Sequence, residues 1–366
     1  RNTTITGTST ITSDALTAVA GVTHTLGTLS IGANTLNLVK GANVASGTAG
    51  LTFGNTTLSS GAVFNTGTDT LLTLGALQTA GNFTKQGAGT LTLNTAANAA
   101  RTSGAVALTA GTLNVGSVSV LGTAPVTLSL SGGTLSLNTD ATVNAHPLTV
   151  SGNTTINSNR ATAGAGISHT LGTLSIGGNT LSVTRGTNAT SGTGGVTVGA
   201  VTMTATPTFD VQANANLTTG IIGGATFGIN KTGAGTLTTN QANTFNGAVT
   251  ISSGIYSTNN LANGGANSGV GSSASAIGNL VLDGGTLQYT GAVATVNRIL
   301  TLTQNGGGLD ASGSAALTLS DTTAMGLTGS GARTLTLTGT NTGNNALLAI
   351  IGDEGANATS IAKTGA

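Results

Sequence analysis

Short runs in which leucine or valine alternates with threonine or serine recur along the whole chain, separated by glycine and asparagine. Four of these runs are residues 90–94 (TLTLN), 126–130 (VTLSL), 134–138 (TLSLN) and 334–338 (TLTLT). A period of two places the apolar side chains on one face of a strand and the hydroxyl side chains on the other. Threonine is β-branched and polar, which suits the outer face of a half-buried strand. The pattern therefore predicts strands of about four to six residues joined by tight turns.

Helices are not predicted anywhere in the chain. Glycine accounts for 59 of the 366 residues, and in a helix interior each glycine costs about 1 kcal/mol relative to alanine. No apolar stripe with a period of 3.6 residues runs through any segment. The fold class predicted from these patterns is all-β.

The chain also repeats itself at long range. Residues 24–32 (HTLGTLSIG) recur unchanged at residues 169–177, and residues 23–58 match residues 168–203 at 21 of 36 positions without a gap. A sandwich or a closed barrel gives no reason for such repetition. In a parallel β-solenoid, each coil contacts only its neighbours, so coils can be duplicated and stacked. We therefore predict a parallel β-solenoid with about 20 residues per coil and about eighteen coils.

One continuous solenoid is expected over residues 1–366. Both ends resemble cuts inside a repeat, because residues 363–366 (KTGA) match residues 231–234, which continue into a strand. We therefore expect a segment of a longer repeat protein. Residues 259–279 break the rhythm of short strands. This stretch is rich in glycine, serine and asparagine, and we expect it to be a loop that protrudes from one coil.

Charged residues make up only 5% of the chain, against roughly 25% in a typical soluble domain. The ten lysine and arginine residues stand singly, so we expect no dense basic face for nucleic acid. The longest apolar run, residues 346–351, is far shorter than the ~20 residues that span a bilayer, so no membrane insertion by this segment is expected. The chain has no cysteine, which excludes disulfides and suits export through an oxidising compartment.

Residues 231–254 (KTGAGTLTTNQANTFNGAVTISSG) resemble the autotransporter-associated β-strand repeat of large bacterial surface and secreted proteins. That repeat reads roughly Lys-x-Gly-x-Gly-Thr-Leu-x-Leu, then Asn-Thr-Tyr or Asn-Thr-Phe with glycine, then Thr-x-x-x-x-Gly. The matching positions here are Lys231, Gly233, Gly235, Thr236, Leu237, Asn243, Thr244, Phe245, Gly247, Thr250 and Gly254. Partial copies begin at Lys85 and Lys363. The resemblance implies a right-handed parallel β-helix that is displayed outside a bacterial cell.

The sequence departs from this repeat at two places. Thr239 stands where a second inward leucine is expected, and where Leu93 stands in the earlier copy. Ile255 and Tyr256 replace the usual Thr-Leu pair. We interpret each departure as the loss of one core side chain.

Histidines that could carry chemistry are few. His24 and His169 occupy the same place in the duplicated unit, and neither has a carboxylate nearby in the sequence. His146 precedes a proline in a predicted turn. We therefore interpret all three as structural or solvent-facing residues.

The nine acidic residues form no cluster that their spacing singles out. Hydrolysis of glycans needs two carboxylates about 5–10 Å apart, and the adjacent Asp353 and Glu354 lie in a predicted turn. Calcium-binding repeats are absent, because the nearest match, residues 306–310 (GGGLD), does not recur. Rows of threonine could bind ice, but outward strand positions already explain them. We predict no catalytic, cofactor-binding or metal-binding residue and no cofactor.

The predicted function is structural: a stiff extracellular rod, stalk or filament at a bacterial cell surface. Open strand edges template pairing, so end-to-end self-association is expected. The alternative is an adhesin that binds host or matrix glycans or proteins through loops such as residues 259–279. A carbohydrate-active enzyme would require acids clustered in space. Expected partners are therefore copies of the chain and cell-surface or glycan ligands, without nucleic acid, and the expected location is the outer membrane surface or the medium.

Overall fold

The computed structural model describes residues 1–94, 103–122 and 126–366, and in these ranges every regular element is a strand. The described residues therefore include no helix that could cross a membrane. The strands are β1 (Thr3–Ile5), β2 (Ser9–Ser13), β3 (Val22–Thr25), β4 (Leu29–Ile31), β5 (Thr35–Lys40), β6 (Ala49–Phe53), β7 (Thr56–Leu58), β8 (Ala62–Thr66), β9 (Thr70–Leu74), β10 (Phe83–Gln86), β11 (Thr90–Leu93), β12 (Ala105–Leu108), β13 (Thr112–Val115), β14 (Thr127–Leu130), β15 (Thr134–Asn138), β16 (Leu148–Val150), β17 (Thr154–Asn159), β18 (Gly164–Ala165), β19 (Ser168–Thr170), β20 (Leu174–Ile176), β21 (Thr180–Arg185), β22 (Ala189–Ser191), β23 (Gly194–Val198), β24 (Val201–Met203), β25 (Thr208–Val211), β26 (Ala215–Thr219), β27 (Ile222–Gly223), β28 (Ile229–Thr232), β29 (Thr236–Thr238), β30 (Val249–Ile251), β31 (Ile255–Thr258), β32 (Leu280–Leu282), β33 (Thr286–Tyr289), β34 (Ala294–Val296), β35 (Thr301–Thr303), β36 (Gly307–Ala311), β37 (Leu317–Leu319), β38 (Gly326–Thr328), β39 (Arg333–Thr338), β40 (Ala346–Leu347) and β41 (Thr359–Lys363).

The chain divides into two compact units. The first comprises Arg1–Leu174 with Thr184–Val196, and the second comprises Ser175–Val183 with Thr197–Ala366. Parallel strands stacked as a β-solenoid confirm the predicted fold class. The solenoid has about 15 turns of about 23 residues, so the predicted eighteen coils of 20 residues were too many and too short. Loops between the strands account for the extra length. The continuity of one solenoid over residues 1–366 and its right-handed sense stay predictions.

In the first unit, each turn supplies one strand to each sheet that it crosses. One series of neighbouring strands has the order β3, β6, β9, β11, β13, β15 and β17. A second series has the order β2, β5, β8, β10, β12, β14 and β16. Strands β1, β4 and β7 form a third. Neighbouring strands in a sheet are separated by a whole turn of sequence and pair in parallel, as β13 does with β15.

In the second unit, β25, β28, β30, β32, β35 and β38 form one parallel series. Strands β26, β29, β31, β33, β36, β39 and β41 form another, and β34, β37 and β40 make a separate sheet of three strands. Because β34 is the first strand of that sheet, only one of its two edges is paired with a strand.

The core is a column of aliphatic side chains contributed by successive turns. In the first unit, six register partners with no more than 1% exposure are Leu51, Leu72, Leu91, Leu113, Leu135 and Ile156. Burial of a leucine is worth about 1.5–3 kcal/mol, so such a column is the main stabilising term. The neighbouring threonines of β11 are half-buried, and the predicted division into inward leucine and outward threonine is confirmed.

Each unit has one lysine inside its apolar core. Lys85 is the register partner of Phe64 and Leu108 in the first unit, and Lys231 is the partner of Phe209 and Ile251 in the second. Both lysines are 0% exposed. Their aliphatic stems therefore continue the column, while the ammonium groups need polar partners inside the protein.

Backbone carbonyls at a corner of the solenoid supply those partners. Lys231 Nζ donates to the carbonyl oxygens of Thr232, Gly233 and Ser253 at 2.7, 2.7 and 3.1 Å. Lys85 Nζ bonds in the same way at 2.9, 2.7 and 3.0 Å to three carbonyls, the third of which lies one turn further on. Burial lowers the pKa of both lysines to about 8. Each ammonium thus joins two successive turns at the glycine corner of the repeat.

Candidate functional site

The loop expected to protrude, residues 259–279, connects β31 and β32 in the second unit. Part of it is packed against the solenoid, since Ser268, Val270 and Ser273 are buried. Other parts, including Asn259 and residues 265–267, are exposed. The segment is therefore fixed on the surface, and the interactions that fix it define the shape presented to solvent.

Arg298 is the first of these fixing groups. The residue is 3% exposed, and no described carboxylate lies within ion-pair distance of its guanidinium. Burial lowers its pKa. Six hydrogen bonds replace the missing counter-ion, to Ala262 O (2.9 Å), Ser273 O (2.6 Å), Ser273 Oγ (3.1 Å), Ala266 O (3.2 Å), Ser268 Oγ (3.3 Å) and Gly271 O (2.8 Å). The segment therefore wraps around one buried cation, whose charge is spread over carbonyl and hydroxyl dipoles.

The carbonyl of Gly269 is the second fixing point. It accepts hydrogen bonds from Thr239 Oγ1 and Tyr256 Oη, each at 2.9 Å, and from Asn243 Nδ2 at 3.0 Å. All three donors are 0% exposed. Burial raises the pKa of Tyr256, which keeps its hydroxyl protonated as a donor. Thr239 and Tyr256 are the positions at which the sequence departs from its repeat, so these departures supply polar anchors for the segment.

An open groove of about 540 Å³ runs beside this segment. One wall is formed by residues 259–263 and the other by residues 292–296, which include β34. Val293 on the second wall is 71% exposed, a large apolar side chain that nothing in the described structure covers. No charged residue lines the groove. Of the second unit's surfaces, this one combines a fixed loop, exposed amides and an unpaired strand edge, which makes it the candidate binding surface.

Each of the three histidines forms a hydrogen bond with a backbone group. His24 is exposed and its Nε2–H donates to the backbone carbonyl of Asp14 at 2.7 Å, while His169 makes the equivalent bond to Asn159 at 3.0 Å. His169 is 0% exposed, and burial lowers its pKa. His146 is also buried, and its Nδ1 accepts a hydrogen bond from the Val126 N–H at 3.1 Å. In each bond the partner is backbone, and none is a carboxylate.

The acidic residues of the second unit hold hydroxyl and amide groups of neighbouring turns. Asp283 accepts hydrogen bonds from Ser252 Oγ at 3.0 Å and from Thr303 Oγ1 at 2.6 Å, one turn away on either side. Asp310 accepts from Gln288 Nε2 at 2.9 Å in the same manner. Among the described residues, no three His, Asp or Glu side chains lie together as a metal site. These carboxylates therefore act as links between turns.

The outer face of the first unit carries a ladder of polar side chains. The register partners are Thr73, Thr92, Asn114, Ser136 and Asn157. Ser136 Oγ donates to Asn157 Oδ1 at 3.3 Å, and Asn157 Nδ2 donates to Thr184 Oγ1 at 2.8 Å. Asparagine and serine thus replace threonine along much of the ladder. The hydroxyl and amide groups of the ladder form hydrogen bonds between successive turns, and these bonds stabilise the stack in addition to the hydrophobic core.

Comparison with known proteins finds two partial matches. The family model of the passenger-associated-transport repeat matches residues 83–115 and 229–255, the two segments that contain Lys85 and Lys231. The adhesin BmaC autotransporter of Brucella suis biovar 1 (strain 1330) is 37% identical over 141 residues, which is 38% of this chain. That match spans about 4% of the length of the curated relative. No solved structure matches the chain.

The parallel solenoid and these partial matches fit a structural role. They also imply extracellular or cell-surface display. Of the residues that create the candidate surface, the sequence indicated the segment 259–279 but missed Arg298, Thr239 and Tyr256. The departures from the repeat at Thr239 and Tyr256, just before an insertion, were the available signal.

Proposed function

We propose that this chain, an autotransporter passenger repeat protein, is a structural section of a surface-displayed passenger. The observation that supports the proposal is the stacking of parallel turns on an apolar core within each unit, with buried cations and polar side chains that join turn to turn. Each turn is held by its neighbours, so the section transmits load without a dedicated site. Its role would then be to carry other parts of the passenger away from the cell, with no catalytic step of its own.

Removal of a single turn tests this role. Deleting residues 134–154 joins Gly133 to Thr155, and Thr155 is the register partner of Thr134 in the next turn. In the full-length surface protein, a structural section tolerates this change, so display and attachment of cells should stay within about twofold of the parent. Loss of attachment at unchanged display, measured by flow cytometry with an antibody to the passenger, would contradict a purely structural role.

Adhesion through the groove is the second candidate, because the groove combines a fixed loop with the exposed Val293. Here, substituting exposed residues is a sharper test than deleting the loop, since deletion would expose the buried Arg298. An Asn259→Asp and Val293→Glu double variant should reduce cell attachment if the groove is adhesive. Unchanged attachment of the displayed variant would leave only the structural role.

Self-association of the section is a further proposal. Sedimentation velocity over a hundredfold range of concentration should show a mass that rises with concentration if copies of the chain associate. A single species at the mass of the chain throughout this range would exclude self-association.

A further inference from the structure

We infer that Asn246 is a site of spontaneous deamidation, at which the side-chain amide is converted to aspartate or isoaspartate while the chain is folded. The inference concerns the covalent lifetime of the chain, so it goes beyond the proposed function and does not depend on it. Gly247 follows this asparagine. Deamidation is fastest in an Asn-Gly pair, because glycine has no side chain to hinder attack by its own backbone nitrogen.

The reaction needs only the chain and water. The backbone nitrogen of Gly247 attacks Cγ of Asn246, and the new N–C bond closes a five-membered succinimide ring. The bond from Cγ to the side-chain nitrogen breaks, and ammonia leaves with the proton that the Gly247 nitrogen gives up. Water then opens the ring at either carbonyl. Attack at the side-chain carbonyl gives aspartate, and attack at the backbone carbonyl gives isoaspartate.

The chain has three Asn-Gly pairs, residues 246–247, 263–264 and 305–306, and all three lie in the second unit. Each of the three asparagines is exposed to solvent. Each glycine N–H is held by a hydrogen bond, and the acceptors in chain order are Phe227 O (3.1 Å), Asn297 Oδ1 (2.8 Å) and Thr303 O (3.0 Å). Exposure and the glycine bond therefore do not separate the three sites, whereas the side-chain amides do.

Two of the three side-chain amides are held in place. Asn263 Oδ1 accepts a hydrogen bond from the Asn297 N–H at 3.0 Å, and Asn297 Oδ1 is also the acceptor for the Gly264 N–H, so one residue holds both reacting groups. Asn305 Nδ2 donates to Asp283 Oδ1 at 2.8 Å, a bond that the carboxylate charge strengthens. Each of these amides has to leave its partner before the glycine nitrogen can reach its carbon.

The side-chain amide of Asn246 is free. It is exposed, and no group in the described part of the chain forms a hydrogen bond with it. Its backbone N–H, in contrast, donates to the Ala225 carbonyl at 2.7 Å. Attack at Asn246 needs the Gly247 bond to open, whereas at the other two sites a hydrogen bond of the amide must break as well. We therefore expect Asn246 to react about tenfold faster than the other two asparagines.

Conversion of Asn246 changes both the charge and the backbone of its turn. The new carboxylate cancels the formal net charge of +1. An isoaspartyl linkage adds one carbon to the backbone between the bonds to Ala225 and Phe227, which join this turn to the preceding one. Aged chains would therefore differ from new ones in the contact between two turns of the second unit.

Peptide mapping by mass spectrometry tests the inference. The whole chain is kept folded for several weeks in mildly alkaline buffer, which favours the deprotonated glycine nitrogen, and conversion of amide to acid is followed at the three Asn-Gly pairs. A sample unfolded in guanidinium chloride gives the rates without structure, which should agree within about twofold. In the folded chain, Asn246 should convert about tenfold faster than Asn263 and Asn305.

Two variants test the physical reason. Asn297→Ala removes the acceptor of the Gly264 N–H, so conversion at Asn263 should rise by about fivefold or more while conversion at Asn246 is unchanged. Asn246→Gln is the control for the assignment. Its ring would have six members and forms far more slowly, so the fast conversion should disappear.

The inference fails if Asn246 stays unconverted in the folded chain while the unfolded sample converts, or if Asn263 or Asn305 converts as fast as Asn246. Equal rates at Asn263 with and without the Asn297 side chain would also contradict it, because that hydrogen bond would then not slow the reaction. Fast conversion that persists in Asn246→Gln would place the modification at another residue.

Discussion

Four of the basic side chains of this chain are buried and join neighbouring segments through hydrogen bonds. Lys85, Lys231 and Arg298 are buried, and each is solvated by three or more backbone or hydroxyl oxygens without a carboxylate partner. Arg333 is also buried, and it combines carbonyl acceptors with one ion pair to Glu354 at 2.6 Å. In a chain with 5% charged residues, interior positions therefore hold a large share of the positive charge.

The sequence contains enough information to predict that Lys85 and Lys231 point inward. The prediction was not made because the basic residues stand singly along the chain and form no pattern of their own. In residues 83–85 (FTK), period-two alternation puts Lys85 in phase with Phe83, and in residues 229–231 (INK) it puts Lys231 in phase with Ile229. What alternation cannot give is the set of acceptors. Ser253 is 22 residues from Lys231 and becomes its neighbour only when the turns stack.

The Lys231→Met variant tests how much one buried lysine contributes to the free energy of unfolding. Methionine keeps the apolar stem in the column but leaves the carbonyls of Thr232, Gly233 and Ser253 without their buried donor. We expect the free energy of unfolding to fall by about 1–3 kcal/mol, measured by urea denaturation. The control is Lys40→Met, which removes an ion pair to Asp69 whose side chains are 23% and 57% exposed. A loss for Lys231→Met no larger than the control's would contradict the account.

The duplicated histidines predict a specific pH dependence. Burial lowers the pKa of His169 below its ordinary value of 6.5, so below pH 6.5 the unfolded chain binds more protons at this residue than the folded chain. The free energy of unfolding should therefore decrease as the pH falls through this range. In His169→Gln that decrease should be smaller between pH 6.5 and 5, as followed by urea midpoints. The same substitution at the exposed His24 is the control, and equal slopes for both variants would contradict the assignment.

At the scale of elements, the insertion at residues 259–279 depends on side chains supplied by neighbouring turns. Thr239 and Tyr256, interpreted from the sequence as lost core positions, instead donate to the Gly269 carbonyl. The segment was predictable because glycine, serine and asparagine break the strand pattern. Its fixed conformation was not, since Arg298 lies 19 residues after the segment ends and reaches it only through the fold.

The Arg298→Met variant should release the segment. Six hydrogen bonds to the loop are lost at once, so hydrogen exchange of peptides within residues 259–279 should speed up by roughly tenfold or more, while strands of the first unit are unaffected. Arg298→Lys should not restore protection, because an ammonium has three donors on one atom and cannot reach the acceptors that a planar guanidinium spans.

Arg185→Met is the matched control for this experiment. Arg185 donates from Nη1 to the carbonyl of Gly192 in an exposed loop, and its loss should leave residues 259–279 protected. Unchanged exchange of the segment in Arg298→Met would show that the guanidinium does not hold it.

The glycine corners make a second prediction for elements. Gly233 has φ of +72°, and an added Cβ would lie 2.3 Å from the Val211 carbonyl oxygen, whereas one at Gly7 would meet nothing within 4 Å. We expect Gly233→Ala to lower the free energy of unfolding by about 1–3 kcal/mol or more. Gly7→Ala should change it by less than about 1 kcal/mol in either direction. Similar thermal midpoints for the two variants would argue against this backbone geometry at the corner.

At the scale of the whole molecule, the sequence predicted the parallel solenoid because two independent patterns agreed. Leucine–threonine alternation specified strands such as β11 and β15, and the duplication of residues 23–58 at 168–203 specified stacking. The number of turns was wrong, because loops such as residues 41–48 and 259–279 lengthen particular turns beyond the common repeat. Division into two units has no marker in composition, since the same pattern continues through both.

The central claim, that successive turns stack in parallel and in register, is tested most directly by engineered cysteine pairs, since the chain has no cysteine of its own. Thr112 and Thr134 are outward register partners in β13 and β15, and a disulfide requires Cα atoms about 4.4–6.8 Å apart. The pair of Thr90 with Thr134 lies two strands apart. Mild oxidation should cross-link Thr112→Cys with Thr134→Cys and leave the second pair reduced, as read by mass spectrometry. Efficient cross-linking of the second pair, or none of the first, would contradict the parallel solenoid.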